Sequence, residues 1–326
     1  MRVKKRITGV LLLAALLLVH TACTGGGQDR QGEIVFTLNY PGDMQALGFT
    51  SPVTLSAVPQ RVAVMSIGPV LALYRLGVGI VAVPQTSVVD WPEALDSAQR
   101  FTTAMADTFD VEGVVALNPD LVIMPFTLAA SHGATLESLG LPVYYVMAGH
   151  VVPYESIRLQ TAALVEAFSN DDNAAARISL DRTFSELNER RAAMRARTAG
   201  LRVMVLQSSP PNHYMQTNGA LLGNMLYLLG FTNVSTQQAG AMMLMDMESA
   251  LYYDPDFVFS VGSSASAAEH QALMEADFAR NPAYWNSFRA IREGNIVYLP
   301  SSFISSAGIA IVDVFHELIY LLNDLL

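Results

Sequence analysis

Two glutamates occupy the same position in two similar segments of the chain. Residues 111–123 and 247–259 each contain a glutamate, six further residues, a Pro-Asp pair and then an apolar run. These glutamates, Glu112 and Glu248, lie near the start of a predicted helix, where a negative charge interacts favourably with the helix dipole. The repeat therefore predicts two similar halves that each carry an acidic residue at one place. Stabilising a helix N-terminus is the simplest role for such a residue.

Polar, aromatic and thioether side chains follow the predicted strands of both halves. In open α/β sheets, ligands bind at the carboxyl ends of the strands. The candidates in the first half are Ser66, Ile67, Gln85, Thr86, Trp91, Thr103, Met105, Phe126 and Thr127. The candidates in the second half are Ser208, His213, Tyr214, Met215, Met243, Met245 and Phe303. This mixture suits a large, flat, partly apolar ligand.

Two features of the second half bear on the ligand, and each has an alternative. Four methionines fall within residues 241–247, and methionine adapts to irregular ligand surfaces, although packing in the core is the more ordinary role for any one of them. His213-Tyr214, in a predicted loop over residues 208–219, could supply an axial ligand to haem or could be an exposed pair with no such role.

Arginine is scarce in the predicted ligand loops, where Arg100 is the nearest one. A strongly anionic catecholate chelate would need several arginines. The composition therefore favours a neutral or weakly charged chelate, or a corrinoid.

A bare metal site and an enzyme are the two competing classes of function. The histidines are scattered without ligand spacing, although a Zn²⁺ or Mn²⁺ site assembled from separate loops stays open. The sequence has no G-x-S-x-G, no P-loop and no G-x-G-x-x-G after a strand, which disfavours the common catalytic folds. An acid–base pair of His213 with Asp246 or Glu248, in a chelatase-like enzyme, is the remaining enzymatic alternative.

Apolar runs alternate with helical patterns along both halves. Strands are predicted at residues 61–65, 78–83, 121–124, 141–146, 201–206, 257–261 and 295–299. Helices are predicted at residues 70–76, 111–117, 136–139, 221–229, 248–253, 281–291 and 310–325. Residues 33–38 and 53–55 are expected to form a small hairpin. This alternation predicts α/β lobes with parallel sheets.

One long helix is predicted between the two halves, from Asn170 to Arg197. Acidic and amide side chains precede it, arginines fill its last turns, and Gly200 follows as a stop. Its narrow apolar stripe contains Ile178, Phe184, Leu187 and Met194. We interpret it as a rigid connection between two lobes, although an ordinary surface helix would show the same pattern.

The first 22 residues have the features of a targeting signal. Four basic residues precede a short apolar run that is too short to span a membrane comfortably. Small residues stand before the only cysteine, Cys23, which predicts a bacterial lipoprotein signal with cleavage before Cys23 and lipid on its sulfur. Since His20 stands where an aliphatic residue is expected, a plain secretory signal is the alternative.

Charge and length limit the remaining possibilities. The formal net charge is −10, and no lysine occurs after the first 22 residues. An acidic chain argues against binding nucleic acid or adhering electrostatically to anionic lipid. The length exceeds one ordinary core. We therefore predict a signal (1–22), a flexible tether (23–34), an N-terminal lobe (35–169), a connecting helix (170–199) and a C-terminal lobe (200–326).

Several segments in this order resemble one family, the substrate-binding proteins of ABC importers for iron–siderophore complexes, cobalamin and haem. The matching segments are residues 59–66 with Leu76-Gly77, residues 112–123, residues 139–143 and residues 285–298. The resemblance implies two Rossmann-like α/β lobes joined by one long helix, with the ligand in the cleft between the lobes.

The resemblance also implies specific partners and roles. One glutamate on each lobe, here Glu112 and Glu248, would dock onto arginines of the permease dimer of the transporter. The protein would bind a ferric siderophore, corrinoid or haem, have no intrinsic cofactor, act as a monomer without catalysis, and sit outside the cytoplasm on the lipid anchor at Cys23.

Overall fold

A small antiparallel pair opens the part of the chain that the structure describes. The computed structural model describes residues 35–86, 89–102, 109–148, 152–235 and 240–326. Strands β1 (Phe36–Leu38) and β2 (Val53–Leu55) pair as the sequence predicts. Helix α1 (Gly42–Ala46), which the sequence analysis does not predict, connects them. The predicted signal, the tether and Cys23 lie outside the described residues.

The N-terminal half is built around a parallel sheet. Its strands are β3 (Val62–Val64), β4 (Ile80–Pro84), β5 (Gln99–Phe101), β6 (Leu121–Pro125) and β7 (Val143–Val146), in the order β5-β4-β3-β6-β7. Helices α2 (Ile67–Arg75), α3 (Val111–Ala116) and α4 (Ala134–Ser138) alternate with them. Strands β6 and β7 are buried along their whole length, as expected of apolar runs covered on both faces. The sequence predicts these strands except β5.

The C-terminal half contains a mixed sheet. Its strands are β8 (Arg202–Ser209), β9 (Asn212–Gln216), β10 (Thr232–Asn233), β11 (Met242–Leu244), β12 (Phe257–Val261) and β13 (Ile296–Leu299). Strands β8, β12 and β13 are parallel as predicted. Strand β9 runs antiparallel to β8, and β11 antiparallel to β9. The predicted loop over 208–219 is therefore wrong, because buried His213 and Met215 alternate with exposed Tyr214 as in a half-buried strand.

Two consecutive helices join the sheets. Helix α5 (Tyr154–Phe168) falls where the sequence analysis predicts no element, and helix α6 (Ala174–Thr198) is the predicted connecting helix. Helix α6 begins four residues later than predicted, because Asn170 and Asn173 bond each other's backbone N–H groups in a turn before it. Its buried stripe includes Phe184, Leu187 and Met194. The predicted member Ile178 is 50% exposed, so that assignment is wrong.

The remaining helices belong to the C-terminal half. They are α7 (Leu221–Leu228), α8 (Ala267–Phe278), α9 (Pro282–Trp285), α10 (Arg289–Arg292), α11 (Ser302–Ser305) and α12 (Ala310–Leu325). The single helix predicted over 281–291 is two short helices, and the helix predicted over 248–253 is a 3-10 turn, Ser249–Tyr252. Helix α12 has the predicted bounds and packs its apolar face on α6.

One hydrophobic core runs through both halves. Buried side chains from β3 and β6 form a continuous cluster with others from α5, α6, β8 and α12. A second, smaller cluster lies within the C-terminal half, around Met204, Leu206, Met274, Trp285 and Phe288. The two sheets are therefore held by shared apolar packing as well as by the chain connection. None of the helices in the described ranges is both long enough and apolar enough to span a membrane.

Candidate functional site

A cavity of about 760 Å³ lies beside the carboxyl ends of the first sheet. Its walls come from the β3–α2 turn (65–69), the ends of β4 and β6, one face of α5, the start of α7, and residues 305–308 between α11 and α12. The cavity therefore touches both halves of the chain. Its volume is in the range of pockets that hold small molecules and cofactors.

The described part of the cavity wall consists of apolar and neutral polar side chains. Among the described residues that line it, none is Asp, Glu, Lys, Arg or His. The apolar part of the wall includes Met65, Met147, Ile157 and Leu164. The polar part consists of amides and hydroxyls, listed as Ser66, Gln85, Thr86, Thr102, Thr127, Gln160, Thr161, Ser305 and Ser306. These described side chains can solvate a neutral ligand by hydrogen bonds.

Two glycines bring the halves into contact at the edge of the cavity. Gly308 lies against the backbone of Gly68, and a Cβ at Gly308 would stand 1.9 Å from the carbonyl oxygen of Gly68. Gly308 also has φ +58°, in the left-handed region that glycine adopts readily. This close approach positions the 305–308 wall against the start of α2.

The structure brings five of the N-terminal candidates to the cavity. Ser66, Ile67, Gln85, Thr86 and Thr127 line it, because each stands at the carboxyl end of a buried parallel strand. Their role in binding a ligand stays a prediction.

Two other N-terminal candidates are outside the lining. The Trp91 indole N–H donates to the carbonyl of Pro84 at 3.1 Å, and Phe126 packs edge-on against Phe49 at 6.5 Å between ring centroids. Thr103 and Met105 lie outside the described residues.

The candidates His213 and Ser208 lie away from the cavity in a buried network. The Ser208 hydroxyl is 2.9 Å from His213 Nδ1, and His213 Nε2 is 3.0 Å from Asp277 Oδ2. Asp277 also accepts from Arg280, and the His213 ring stands edge-on to Trp285. Burial lowers the pKa of His213, although Asp277 acts in the opposite direction. With both ring nitrogens engaged, His213 is poorly disposed to coordinate haem iron.

The other C-terminal candidates are also outside the lining. Phe303 is fully buried in the core, and Met215 and Met245 belong to the second hydrophobic cluster, with Met243 packed against it. Tyr214 is partly exposed on β9, opposite Leu244 of β11. Among the four methionines of residues 241–247, Met245 takes the core alternative, whereas Met242 and Met247 are 44% and 37% exposed.

Sequence reasoning missed the face of α5 that lines the cavity. Ile157, Gln160, Thr161 and Leu164 form this wall, and their spacing of three and four residues is that of one helix face. This periodicity after Pro153 could have indicated the helix. It could not have indicated that the face meets a cavity, because the opposite wall comes from residues 305–308, far along the chain.

The two repeated glutamates are exposed, and aspartates perform the capping beside them. Asp110 is the N-cap of α3, and its Oδ1 accepts from the Gly113 backbone N–H at 2.8 Å. Asp110, rather than Glu112, therefore caps this helix. Asp246 accepts from the hydroxyl of Ser249 and from the backbone N–H of Glu248, and these hydrogen bonds lower the pKa of Asp246. Neither glutamate is therefore needed as a helix cap, although Glu112 still lies in the first turn of α3, where its charge interacts favourably with the helix dipole.

The repeat continues into matched backbone contacts. Asp120 Oδ1 accepts from the backbone N–H of Arg61 at 3.0 Å, and Asp256 Oδ2 accepts from that of Arg202 at 2.8 Å. In each half the aspartate N–H donates back to the arginine carbonyl. Arg61 immediately precedes β3, and Arg202 begins β8. The same backbone contacts therefore join a turn to a central strand in both halves.

No cluster of three or more His, Cys, Asp or Glu residues that could hold a metal ion occurs within the described residues. This observation concerns the described ranges alone, and His150 lies outside them.

Comparison with known proteins identifies the family. The Periplasmic binding protein family matches residues 62–303, more than half of the chain, and the chain belongs to this family. No curated protein matches it. Membership makes the chain a binding protein rather than an enzyme, in agreement with the lack of catalytic motifs in its sequence.

Solved structures with the same fold include several substrate-binding proteins. The iron uptake ABC transporter substrate-binding protein PiuA from Streptococcus pneumoniae Canada MDR_19A is 17% identical with a TM-score of 0.63, over 87% of this chain and 97% of PiuA. The periplasmic vitamin B12 binding protein BtuF of Vibrio cholerae is 17% identical with a TM-score of 0.58, over 81% and 96%. The catecholate-siderophore binding protein VctP from Vibrio cholerae is 17% identical with a TM-score of 0.60, over 83% and 95%. At these identities the likeness establishes the fold, as the sequence resemblance predicts.

Proposed function

We propose that the protein captures a metal chelate outside the cytoplasm and delivers it to an ABC importer. The cargo is an iron–siderophore complex or a related chelate such as cobalamin or haem. The observation that carries the proposal is the cavity of about 760 Å³ that both halves line, in a member of the periplasmic binding protein family. The class of cargo is supported by fold neighbours described as a substrate-binding protein for iron uptake, a vitamin B12 binding protein and a catecholate-siderophore binding protein.

A titration of the soluble protein tests capture directly. The chain without residues 1–23 would be titrated calorimetrically with ferric hydroxamates, ferric catecholates, cobalamin and haemin. Heat is a better signal than tryptophan fluorescence, since Trp285 lies in the C-terminal core and Trp91 outside the cavity lining. Saturable one-to-one binding of one chelate, which is recovered unchanged, would support the proposal. Binding of a free metal ion alone would replace it with the bare-metal function.

Docking to the permease is assigned to Glu112 and Glu248. Both are exposed, and neither is needed as a helix cap because aspartates fill that role. Apolar side chains surround Glu248 on the surface, with Met247 37%, Leu251 40% and Tyr252 84% exposed. Methionine and aromatic side chains are enriched at protein interfaces, and charge pairs at two separated points fix orientation and speed encounter.

The first prediction concerns this docking pair. The double variant Glu112→Ala/Glu248→Ala is expected to abolish chelate uptake by cells or vesicles that carry the cognate importer, because each lost interfacial charge pair weakens association by about tenfold or more. Ligand affinity of the isolated protein is expected to stay unchanged. The matched control is Glu189→Ala/Glu317→Ala, two exposed glutamates on α6 and α12. A loss of ligand affinity in the docking variant, or equal loss of uptake in the control, would contradict the assignment.

Lipid attachment at Cys23 completes the proposal. The supporting features are the basic and apolar segments before Cys23 and the absence of any other cysteine in the sequence. An anchor there would hold the binding domain at the membrane that carries the importer. Incorporation of a labelled fatty acid into the protein, and its loss in Cys23→Ala, is the measurement that checks this attachment.

A further inference from the structure

The exposed methionines of the described chain lie in one short segment beside Glu248. Within the described ranges, Met242 and Met247 are the only methionines classed as exposed, and all others are buried or half-buried. Met247 immediately precedes Glu248, and Met242 lies five residues earlier, in strand β11. Peroxides oxidise methionine to its sulfoxide, and burial shields the sulfur. Met242 and Met247 are therefore the described methionines most open to an oxidant in the solvent.

The turn that carries Met247 is held firmly to the C-terminal half. The carbonyl of Asp246 accepts from the Ala250 N–H at 2.9 Å, and its carboxylate accepts from the Glu248 N–H and the Ser249 hydroxyl. Ala250 is fully buried in the second hydrophobic cluster. These contacts fix the turn against that cluster, with Met247 and Glu248 side by side on the surface.

The matching turn of the N-terminal half has no thioether beside its glutamate. In the aligned repeat, Val111 stands at the position of Met247, directly before Glu112. Val111 is half-buried, and its aliphatic side chain does not react with peroxide. Of the two matched positions, Met247 alone can therefore become a sulfoxide.

We propose that Met247 is a site of oxidation by peroxide, and that its sulfoxide weakens docking of the C-terminal half to the permease. The Met247 sulfur attacks one oxygen of hydrogen peroxide, so that an S–O bond forms as the O–O bond breaks. The sulfur loses two electrons, and the departing hydroxide takes the proton of the transferred oxygen and leaves as water. This inference rests on the proposed function and adds regulation to the docking surface at Glu248.

The sulfoxide changes the polarity of this surface without changing its charge. Its oxygen is a hydrogen-bond acceptor on a side chain that was apolar. An acceptor that a partner covers without supplying a donor loses its hydration, and affinity falls by about tenfold. Glu248 keeps its charge, so its attraction to a cationic partner stays. Oxidation is therefore expected to weaken docking without abolishing it, in contrast to the loss of both glutamates.

The second prediction compares the two exposed methionines. Met247→Leu and Met242→Leu each keep an apolar side chain of similar volume and remove one sulfur, and Met247→Gln imitates the polarity of the sulfoxide. The wild-type protein and the two leucine variants are treated with hydrogen peroxide, and peptide mass spectrometry locates the added oxygen. Binding to the cognate importer in lipid nanodiscs and the thermal midpoint of the free protein are measured before and after treatment.

The expected pattern assigns the effect to one sulfur. Peroxide should oxidise Met242 and Met247 of the wild-type protein before the buried methionines, and should weaken binding to the importer by about tenfold with an unchanged thermal midpoint. Met242→Leu should lose affinity alike, whereas Met247→Leu should keep it. Untreated Met247→Gln should bind as weakly as the oxidised wild-type protein. Methionine sulfoxide reductases should restore binding of the oxidised wild-type protein.

Contrary outcomes separate this inference from the proposed function. Oxidation at Met247 with unchanged binding to the importer, or equal protection by both leucine variants, would refute the role of Met247 and leave docking through Glu112 and Glu248 intact. A loss of binding that sulfoxide reductases do not reverse would point to other damage and also refute it. If Glu112→Ala/Glu248→Ala bound the importer as tightly as the untreated wild-type protein, the docking assignment and this inference would both fall.

Discussion

At the scale of single residues, two buried histidines make the stability of the fold depend on pH. His270 is fully buried on α8, where its Nε2 lies 2.9 Å from the hydroxyl of Ser260 on β12. Burial lowers the pKa of His270 and, with partial opposition from Asp277, that of His213. Both imidazoles are therefore held neutral in the folded protein.

The third prediction follows from the sign of this shift. An unfolded histidine binds a proton near pH 6.5, whereas folded His270 resists it. Stability contributed by neutral His270 is therefore complete above about pH 6.5 and is lost as the pH falls below that value, at up to about 1.4 kcal/mol per pH unit. Urea unfolding between pH 7.5 and 5.5 measures this slope.

The variant His270→Gln isolates the contribution of this residue. Glutamine can still bond Ser260 but takes up no proton, so its stability is expected to depend less steeply on pH by about one proton. Equal slopes in the wild-type protein and His270→Gln would show that this histidine titrates alike in both states.

The candidate site shows what the sequence can and cannot supply at this scale. The positions of Ser66, Gln85 and Thr86 were predictable, because parallel strands end at one edge of a sheet and the residues that follow them gather at that edge. Gln160 was not, since its environment depends on a helix and a distant loop that meet only in the folded chain. Ser208 was predicted by the same strand-end rule as Ser66, but β8 forms a hairpin with β9, in which Ser208 and His213 pair and are buried.

At the scale of elements, the β3–α2 turn and the α11–α12 segment touch at Gly68 and Gly308. Their backbones can approach so closely because neither residue has a side chain. The fourth prediction is that Gly308→Ala destabilises the protein and weakens ligand binding, because the new Cβ would collide with the Gly68 carbonyl and push the 305–308 wall outward. Overpacking of this kind costs about 1–3 kcal/mol. Chemical unfolding measures the loss of stability, and calorimetry measures the loss of ligand affinity.

Gly140 offers a matched control for this substitution. It also has a positive φ, +84°, but a Cβ there would meet nothing within 4 Å. Gly140→Ala therefore carries the conformational cost of the left-handed backbone without the collision. A loss in Gly308→Ala no larger than that in Gly140→Ala would show that the contact with Gly68 does not constrain the two halves.

Regular elements with strong apolar patterns were predictable, and the exceptions have physical reasons. Strand β6 is an uninterrupted apolar run between turn residues, β12 is apolar except for Ser260, and α12 has a clear helical period. Strand β9 contains His213 and polar neighbours, so its composition suggests a loop although its alternation is that of a strand. The 281–291 segment appears continuous in sequence but breaks between α9 and α10, where Trp285 and Phe288 turn into the second cluster.

At the scale of the whole molecule, the shared core opposes large movement of one half against the other. Helices α5, α6 and α12 contribute to one cluster that reaches both sheets. The division into lobes at residues 169 and 200 stays a prediction, but the connecting helix and the common packing both favour a stiff molecule.

The fifth prediction is that ligand binding leaves the radius of gyration nearly unchanged. A stiff helix and a continuous core allow side-chain adjustment around the cavity without hinge closure. Small-angle scattering of the soluble protein, with and without a saturating chelate, measures this. A clear compaction on binding would show that the halves rotate about α6 in spite of the shared core.

The repeated Asp-x-Glu segments and the cavity wall share no residue. The segments at 110–120 and 246–256 present the glutamates, whereas the described cavity wall comes from residues 65–69, the strand ends, α5, the start of α7 and residues 305–308. In the proposed function, cargo and transporter are therefore recognised by separate stretches of sequence. Either stretch can change by mutation or recombination while the other is retained, so a lineage of such proteins can acquire a new nutrient without acquiring a new importer.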